Sequence, residues 1–139
     1  PDQTIILLSE PSRQKLFAKS FRYHHALGQA YLAQGKADKA IPELKAAVGL
    51  APKVGYLYGD LANAQYMAGR FAEAVSAYDK ALEITPNDAV AALNRSLALE
   101  KLSRFREAVS SLELYLTLTK APADHPQRKR LEELKAKVK

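Results

Sequence analysis

The stretch Leu61 to Pro86, LANAQYMAGRFAEAVSAYDKALEITP, decides the fold. Starting just upstream, Tyr58, Leu61, Ala62, Gln65 and Tyr66 recur at the spacing of one helix face. Gly69 ends that helix, since a residue free to take positive φ suits a helix C-terminus. A second helical face runs through Ala74, Tyr78, Ala81 and Leu82, and Pro86 stops it. Two helices joined by so short a turn lie antiparallel, and they approach closely only where a small residue replaces a bulky one. Ala62 and Ala74 are the small residues of this pair, and Tyr78 fills the space between them.

The same pattern stands 34 residues upstream, with Leu27 for Leu61, Gly28 for Ala62, Gly35 for Gly69, Ala40 for Ala74, Leu44 for Tyr78, Ala47 for Ala81 and Pro52 for Pro86. It returns 34 residues downstream as Ser96, Ser103, Phe105, Ala108 and Leu112. Three units follow, at about 21–54, 55–88 and 89–122. An Ala-rich hairpin cannot bury its apolar face alone, so such units stack and share one elongated core. The expected class is all-α, a tandem helical-hairpin solenoid of three repeats with a C-terminal capping helix.

The order of an aromatic, Leu-Gly, Tyr, Ala, aromatic, Ala and Pro along 34 residues resembles the tetratricopeptide repeat family. The resemblance covers residues 21–122. His24 stands where the first unit should have a large aromatic, and Gln65 where the second should have Tyr. In the third unit Ala92 and Arg95 replace the aromatic and the Leu, Tyr115 replaces a small residue, and Lys120 stands in place of Pro.

Composition agrees with a globular chain: of 139 residues 47% are hydrophobic and 26% charged, which excludes a disordered tail. The longest aliphatic run, Ile5-Ile6-Leu7-Leu8, is far short of the ~20 apolar residues that span a bilayer. No membrane insertion and no signal peptide are expected, and the chain reads as soluble, from cytoplasm or periplasm. The start at Pro1 rather than Met is consistent with a processed product or an excised piece. The absence of cysteine excludes disulfides, thiolate metal sites and cysteine nucleophiles.

The net charge of +6 is concentrated at one end: residues 120–139 hold seven Lys and Arg against three Asp and Glu. After a turn at Ala121–Pro126, a final helix is expected from Gln127 to about Val138, with Leu131 and Leu134 as its apolar stripe. Family members commonly end in such a helix, which covers the last repeat. Lys135, Lys137 and Lys139 also suit the negative end of a helix dipole, so residues 123–139 read as a basic cap. Glu132 and Glu133 interrupt the basic run, which argues against nucleic acid. Residues 1–20 read as an arm that merges into an extended first helix. Ser9-Glu10-Pro11-Ser12 marks its start, and Leu16, Tyr23, Leu27 and Tyr31 share its face. Ile5–Leu8 before it suit a remnant of an earlier repeat, an extended arm, or a segment that docks on a neighbour.

Function is expected on the face of each first helix opposite its packing stripe. That face carries Arg22, His25, Gln29 and Leu32 in the first unit. It carries Tyr56, Gly59, Asn63, Tyr66 and Met67 in the second, and Val90, Asn94, Leu97 and Lys101 in the third. In the tetratricopeptide family the corresponding face holds extended peptides or partner helices. The resemblance therefore implies a protein–protein interaction module, an adaptor or assembly scaffold with a protein or peptide ligand. Tyr56, Tyr66 and Met67 suit apolar side chains, and the amides of Gln29, Asn63 and Asn94 suit a peptide backbone. The bland alternative is that Asn63 and Asn94 merely link helices and the tyrosines merely pack between units. Some family members clamp a chaperone's C-terminal carboxylate with lysine, asparagine and arginine. Asn94-Arg95-Ser96 and Asn63 resemble parts of that clamp, but Gly59 stands where its lysine belongs. Without its cation such a clamp is incomplete.

No catalytic residue, cofactor site or metal site is expected. His24 and His25 are neighbours on a helix and point about 100° apart, so they cannot share a metal, and His125 falls in a turn. No phosphate-cradling glycine loop or nucleophile triad stands out. Two other readings remain: a self-assembling homo-oligomeric scaffold, or the non-catalytic repeat portion of a larger enzyme.

Overall fold

The computed structural model describes residues 3–13 and 20–138, and all regular structure among the described residues is helical. Helix α1 spans Gln3–Ser9. Three hairpins follow: α2 (Phe21–Ala33) with α3 (Ala37–Leu50), α4 (Gly55–Met67) with α5 (Phe71–Ile84), and α6 (Ala89–Lys101) with α7 (Phe105–Leu118). Helix α8 (Pro126–Val138) closes the stack. Each helix packs on the next, and α2, α4 and α6 also touch one another along one side. No helix among the described residues is long and apolar enough to cross a membrane.

The hairpin turns are cut to one design. Gly35 at φ 70° and Gly69 at φ 76° end α2 and α4 in the left-handed region. The amide of the next residue bonds back five residues, Lys36 to the Tyr31 carbonyl at 2.9 Å and Arg70 to the Gln65 carbonyl at 2.8 Å. This closes the orphan carbonyls of the last turn. Helices α6 and α7 end the same way, but with Ser103 at φ 57° and Lys120 at φ 50° in the position that favours glycine.

Small residues set the distance between paired helices. A Cβ placed on Gly28 would lie 2.6 Å from Leu44 Cγ, so α2 and α3 meet only because residue 28 has no side chain. Leu44, Ala62, Ala74, Ser96, Ala108 and Leu112 are fully buried. All but Ser96 join one core that runs from the first hairpin to Leu131 and Leu134 of α8.

Three of the departures from the family pattern, His24, Gln65 and Arg95, carry polar partners. His24 Nδ1 bonds Glu43 Oε2 of α3 at 2.7 Å. Gln65, buried between α4 and α5, donates through Nε2 to Glu73 at 3.5 Å, and its Oε1 has no partner among the described residues. Arg95 donates to Asp79 of α5 at 2.5 Å and to Ser111 of α7.

The N-terminal segment corrects one expectation. Residues 11–13 form a helical turn, but Ser20 is extended at φ −98° and ψ 119°, so α2 begins afresh at Phe21. The first helix is therefore not one long element from residue 11, and Leu16 lies outside the described residues. Ile5–Leu8 belong to α1, which excludes the extended arm. The Tyr23 hydroxyl donates to the Leu8 carbonyl at 2.8 Å and ties α1 to the first hairpin.

Four basic residues of α8, Arg128, Arg130, Lys135 and Lys137, anchor it. Arg130 donates twice to Glu100 of α6, at 2.6 and 3.0 Å. Arg128 donates to the carbonyls of Ala121 and Pro122 in the turn before it. Lys135 pairs with Glu113 of α7 at 3.5 Å, and Lys137 lies 5.1 Å from the centre of the Phe105 ring.

Candidate functional site

The side shared by α2, α4 and α6 is a groove, lined at one place by residues of α2, α4, α5 and α6. A cavity of about 360 Å³ opens there, walled by Leu32, Tyr66, Met67 and Leu97, with Asn63, Asn94 and Tyr78 at its base. Met67 is 54% exposed, so much of its apolar surface faces solvent rather than core. Tyr66 is held from behind by an edge-on contact with Phe71, ring centres 5.2 Å apart.

The base of this cavity is a three-residue hydrogen-bond network. The Tyr78 hydroxyl donates to Asn63 Oδ1 at 2.5 Å, and Asn94 Nδ2 donates to the same oxygen at 3.3 Å. Burial, with the nearby Tyr66 adding to it, pushes the Tyr78 phenol well above its ordinary pKa of 10, so it stays a neutral donor. Among the described residues Asn63 Nδ2 has no acceptor and Asn94 Oδ1 no donor. A donor and an acceptor on facing helices are the complement that one peptide unit of an incoming backbone requires.

A second cavity of about 120 Å³ shares this base and extends toward Tyr56, Gly59, Asp60, Asp88 and Val90. Tyr56 is 52% and Val90 65% exposed. Asp60 Oδ2 accepts from His25 Nε2 at 2.6 Å and from Gln29 Nε2 at 3.3 Å, which bridges the first and second units. The His25 ring leans on Tyr56, centre to centre 5.2 Å. Asp88 caps α6 by accepting from the Ala91 amide at 3.0 Å. At the far end Tyr66, Leu97, Glu100, Lys101 and Arg130 surround a third opening of about 410 Å³.

Most of the groove residues expected from the sequence line one of these openings. Leu32, Tyr66, Met67 and Leu97 gather at the first, Tyr56, Gly59 and Val90 at the second, Asn63 and Asn94 at both, and Lys101 at the third. His25 and Gln29 sit beside them, bonded to Asp60. Arg22 lines none of the three and stacks on its neighbour Phe21, guanidinium carbon 5.6 Å from the ring centre. The asparagines thus link helices and face the cavity at once, so the two readings of them are not alternatives. Asp60, Asp88 and Tyr78 are among the lining residues that sequence reasoning missed, with Ala91, Glu100 and Arg130. The signal for Asp60 was its place one residue after Gly59, 35 after His25, which puts it on the facing helix. Among the described residues no three His, Asp or Glu side chains gather as a metal ion would need.

Residues 25–89 match the tetratricopeptide repeat family. That match covers just under half of the chain. It is similar to small glutamine-rich tetratricopeptide repeat-containing protein 2 of Mycosarcoma maydis, 39% identical over 72 residues, which is 52% of this chain and 20% of that protein. The chain thus spans about a fifth of the length of the curated relative it matches. Among solved tetratricopeptide structures it is similar to the first such domain of Spaghetti (RPAP3) bound to the HSP90 peptide SRMEEVD, with TM-score 0.77 and 23% identity over 86% of this chain and 94% of that one. The Arabidopsis OM64 domain aligns with TM-score 0.76 and 23% identity over 85% and 96% of the two chains. The Sgt2 domain of Aspergillus fumigatus aligns with TM-score 0.74 and 20% identity over 85% and 78%. At these identities the likeness to the solved tetratricopeptide domains is one of fold.

Proposed function

We propose that the chain is a non-catalytic adaptor that binds a partner's peptide segment in the groove of α2, α4 and α6. The observation that carries this reading is the 360 Å³ cavity, where apolar walls surround an amide donor and acceptor left unpaired among the described residues. Such a mixture suits an extended segment that buries one side chain and bonds one backbone unit, which is how small sites combine affinity with orientation. The HSP90 peptide held by the Spaghetti domain, a chain of the same fold, supports a peptide occupant. In this reading residues 21–122 form the binding body, 123–139 cap it, and 1–20 flank it. The array is pre-organised by its stacked core, so the peptide supplies most of the ordering entropy.

The test is to select peptides against the chain from a random display library and map the best by amide chemical-shift changes. Shifts centred on Asn63, Met67, Asn94 and Leu97 are expected, and Met67→Ala with Tyr56→Ala should weaken binding about tenfold, as loss of two apolar anchors does. Shifts confined to α3, α5 and α7 would refute the groove.

Self-assembly has one observation of its own. Ile6 and Leu7 on α1 are 50% and 47% exposed, an apolar pair that a second copy can cover. Light scattering across a concentration series separates the two readings, because self-assembly raises the mass and Ile6→Ser with Leu7→Ser abolishes the rise.

A further inference from the structure

The two cavities that meet at Asn63 and Asn94 differ in charge. The larger is apolar, whereas the smaller is lined by Asp60 and Asp88 and by no cationic side chain. Each carboxylate has one oxygen engaged, Asp60 Oδ2 by His25 and Gln29 and Asp88 Oδ1 by the Ala91 amide. Among the described residues Asp60 Oδ1 and Asp88 Oδ2 have no partner. The half-exposed Tyr56 ring stands beside them, and nothing lies within 4 Å of where a Gly59 Cβ would be, so the approach is open. A lysine or arginine entering there meets two carboxylates and an aromatic wall. A glutamate or a terminal carboxylate meets like charge, with no Lys or Arg among the lining residues to offset it.

We propose that the groove selects a segment in which a lysine or arginine lies two residues from a leucine- or methionine-sized side chain. The apolar side chain fills the cavity of Leu32, Met67 and Leu97, and the cation lies between Asp60 and Asp88. In an extended peptide residues two apart point to the same side, so one strand reaches both cavities. The proposal rests on the groove reading above and adds its charge preference.

The probes are three fluorescein-labelled peptides, Gly-Ser-Lys-Ser-Leu-Ser-Gly and its versions with Glu or Ser in place of Lys, titrated against the full chain by fluorescence anisotropy. The Lys peptide is expected to bind about fivefold tighter than the Ser peptide, the scale of two partly exposed ion pairs, and the Glu peptide more weakly than either. Asp60→Asn with Asp88→Asn should erase that order, because asparagine keeps the helix cap and the His25 bond while removing the charge. Equal binding of the three, tighter binding of the Glu peptide, or an order that survives the double variant overturns the charge preference. In those cases Met67→Ala with Leu97→Ala still tests the groove, since weaker binding of all three peptides there keeps it. Binding unaffected by that pair, or no binding by any peptide, removes both the preference and the groove reading.

Discussion

The Tyr78 hydroxyl crosses from α5 to Asn63 Oδ1 of α4 at 2.5 Å, so a core side chain sets the orientation of a groove amide. Tyr78→Phe keeps the buried ring and removes that bond. A loss of about 0.5–1.5 kcal/mol at neutral pH is expected from urea melts followed by circular dichroism. The difference shrinks in alkali. Because burial raises the folded phenol above 10, the unfolded chain ionises first, and stability held below pH 10 is lost as pH rises beyond it. The phenylalanine variant lacks that loss, so the gap between the two proteins should narrow above pH 10. A constant gap would mean the phenol ionises equally in both states.

Gly28 faces Leu44 across the first hairpin with no room for a side chain. Gly28→Ala places a methyl 2.6 Å from Leu44 Cγ and should destabilise by about 1–3 kcal/mol, the usual range for overpacking. The effect should be far smaller in a Leu44→Ala background, where the methyl has room. A double-mutant cycle on urea midpoints checks this, and additive losses would show that the contact is not what holds residue 28 to glycine.

The period of 34 was legible because close helix pairs demand small residues, and Gly28, Ala62 and Ser96 recur where that demand falls. The groove was legible for the same reason, since the face opposite a buried stripe follows from helix geometry alone. What was not legible depends on side-chain reach. Tyr78 reads as a core residue, and only its length carries the hydroxyl through to Asn63. Asp60 reads as one more surface carboxylate until α2 brings His25 and Gln29 beside it. The break at Ser20 was hidden too, because an apolar spacing that crosses a helix start looks the same as one that does not.

Ser103 occupies a position that its equivalents fill with glycine, at φ 57° against 70° for Gly35 and 76° for Gly69. Ser103→Gly should relieve about 1 kcal/mol of left-handed strain, partly offset by the freer unfolded chain. A small rise in melting temperature is expected. Gly69→Ala, the reverse change, should lower it. Scanning calorimetry of both variants decides the matter, and a fall for Ser103→Gly would show that the serine side chain stabilises this turn.

Arg130 is the main polar tie between the cap and the last repeat, through Glu100 of α6 and, at 3.2 Å, Ser96 Oγ. Both members of the ion pair are largely shielded, at 18% and 31% exposure, so its loss matters more than that of a surface pair. Arg130→Ala should loosen α8 by about 1–2 kcal/mol, the scale of hydrogen bonds to a charged group. In a stack whose units touch only their neighbours, that loss stays local. Native-state hydrogen exchange should therefore quicken for amides of Leu131 to Val138, while amides of α2 to α5 keep their protection. Quickening that spreads evenly to α2 would mean the chain opens as one cooperative body, with α8 a required part of its core rather than a lid on its end.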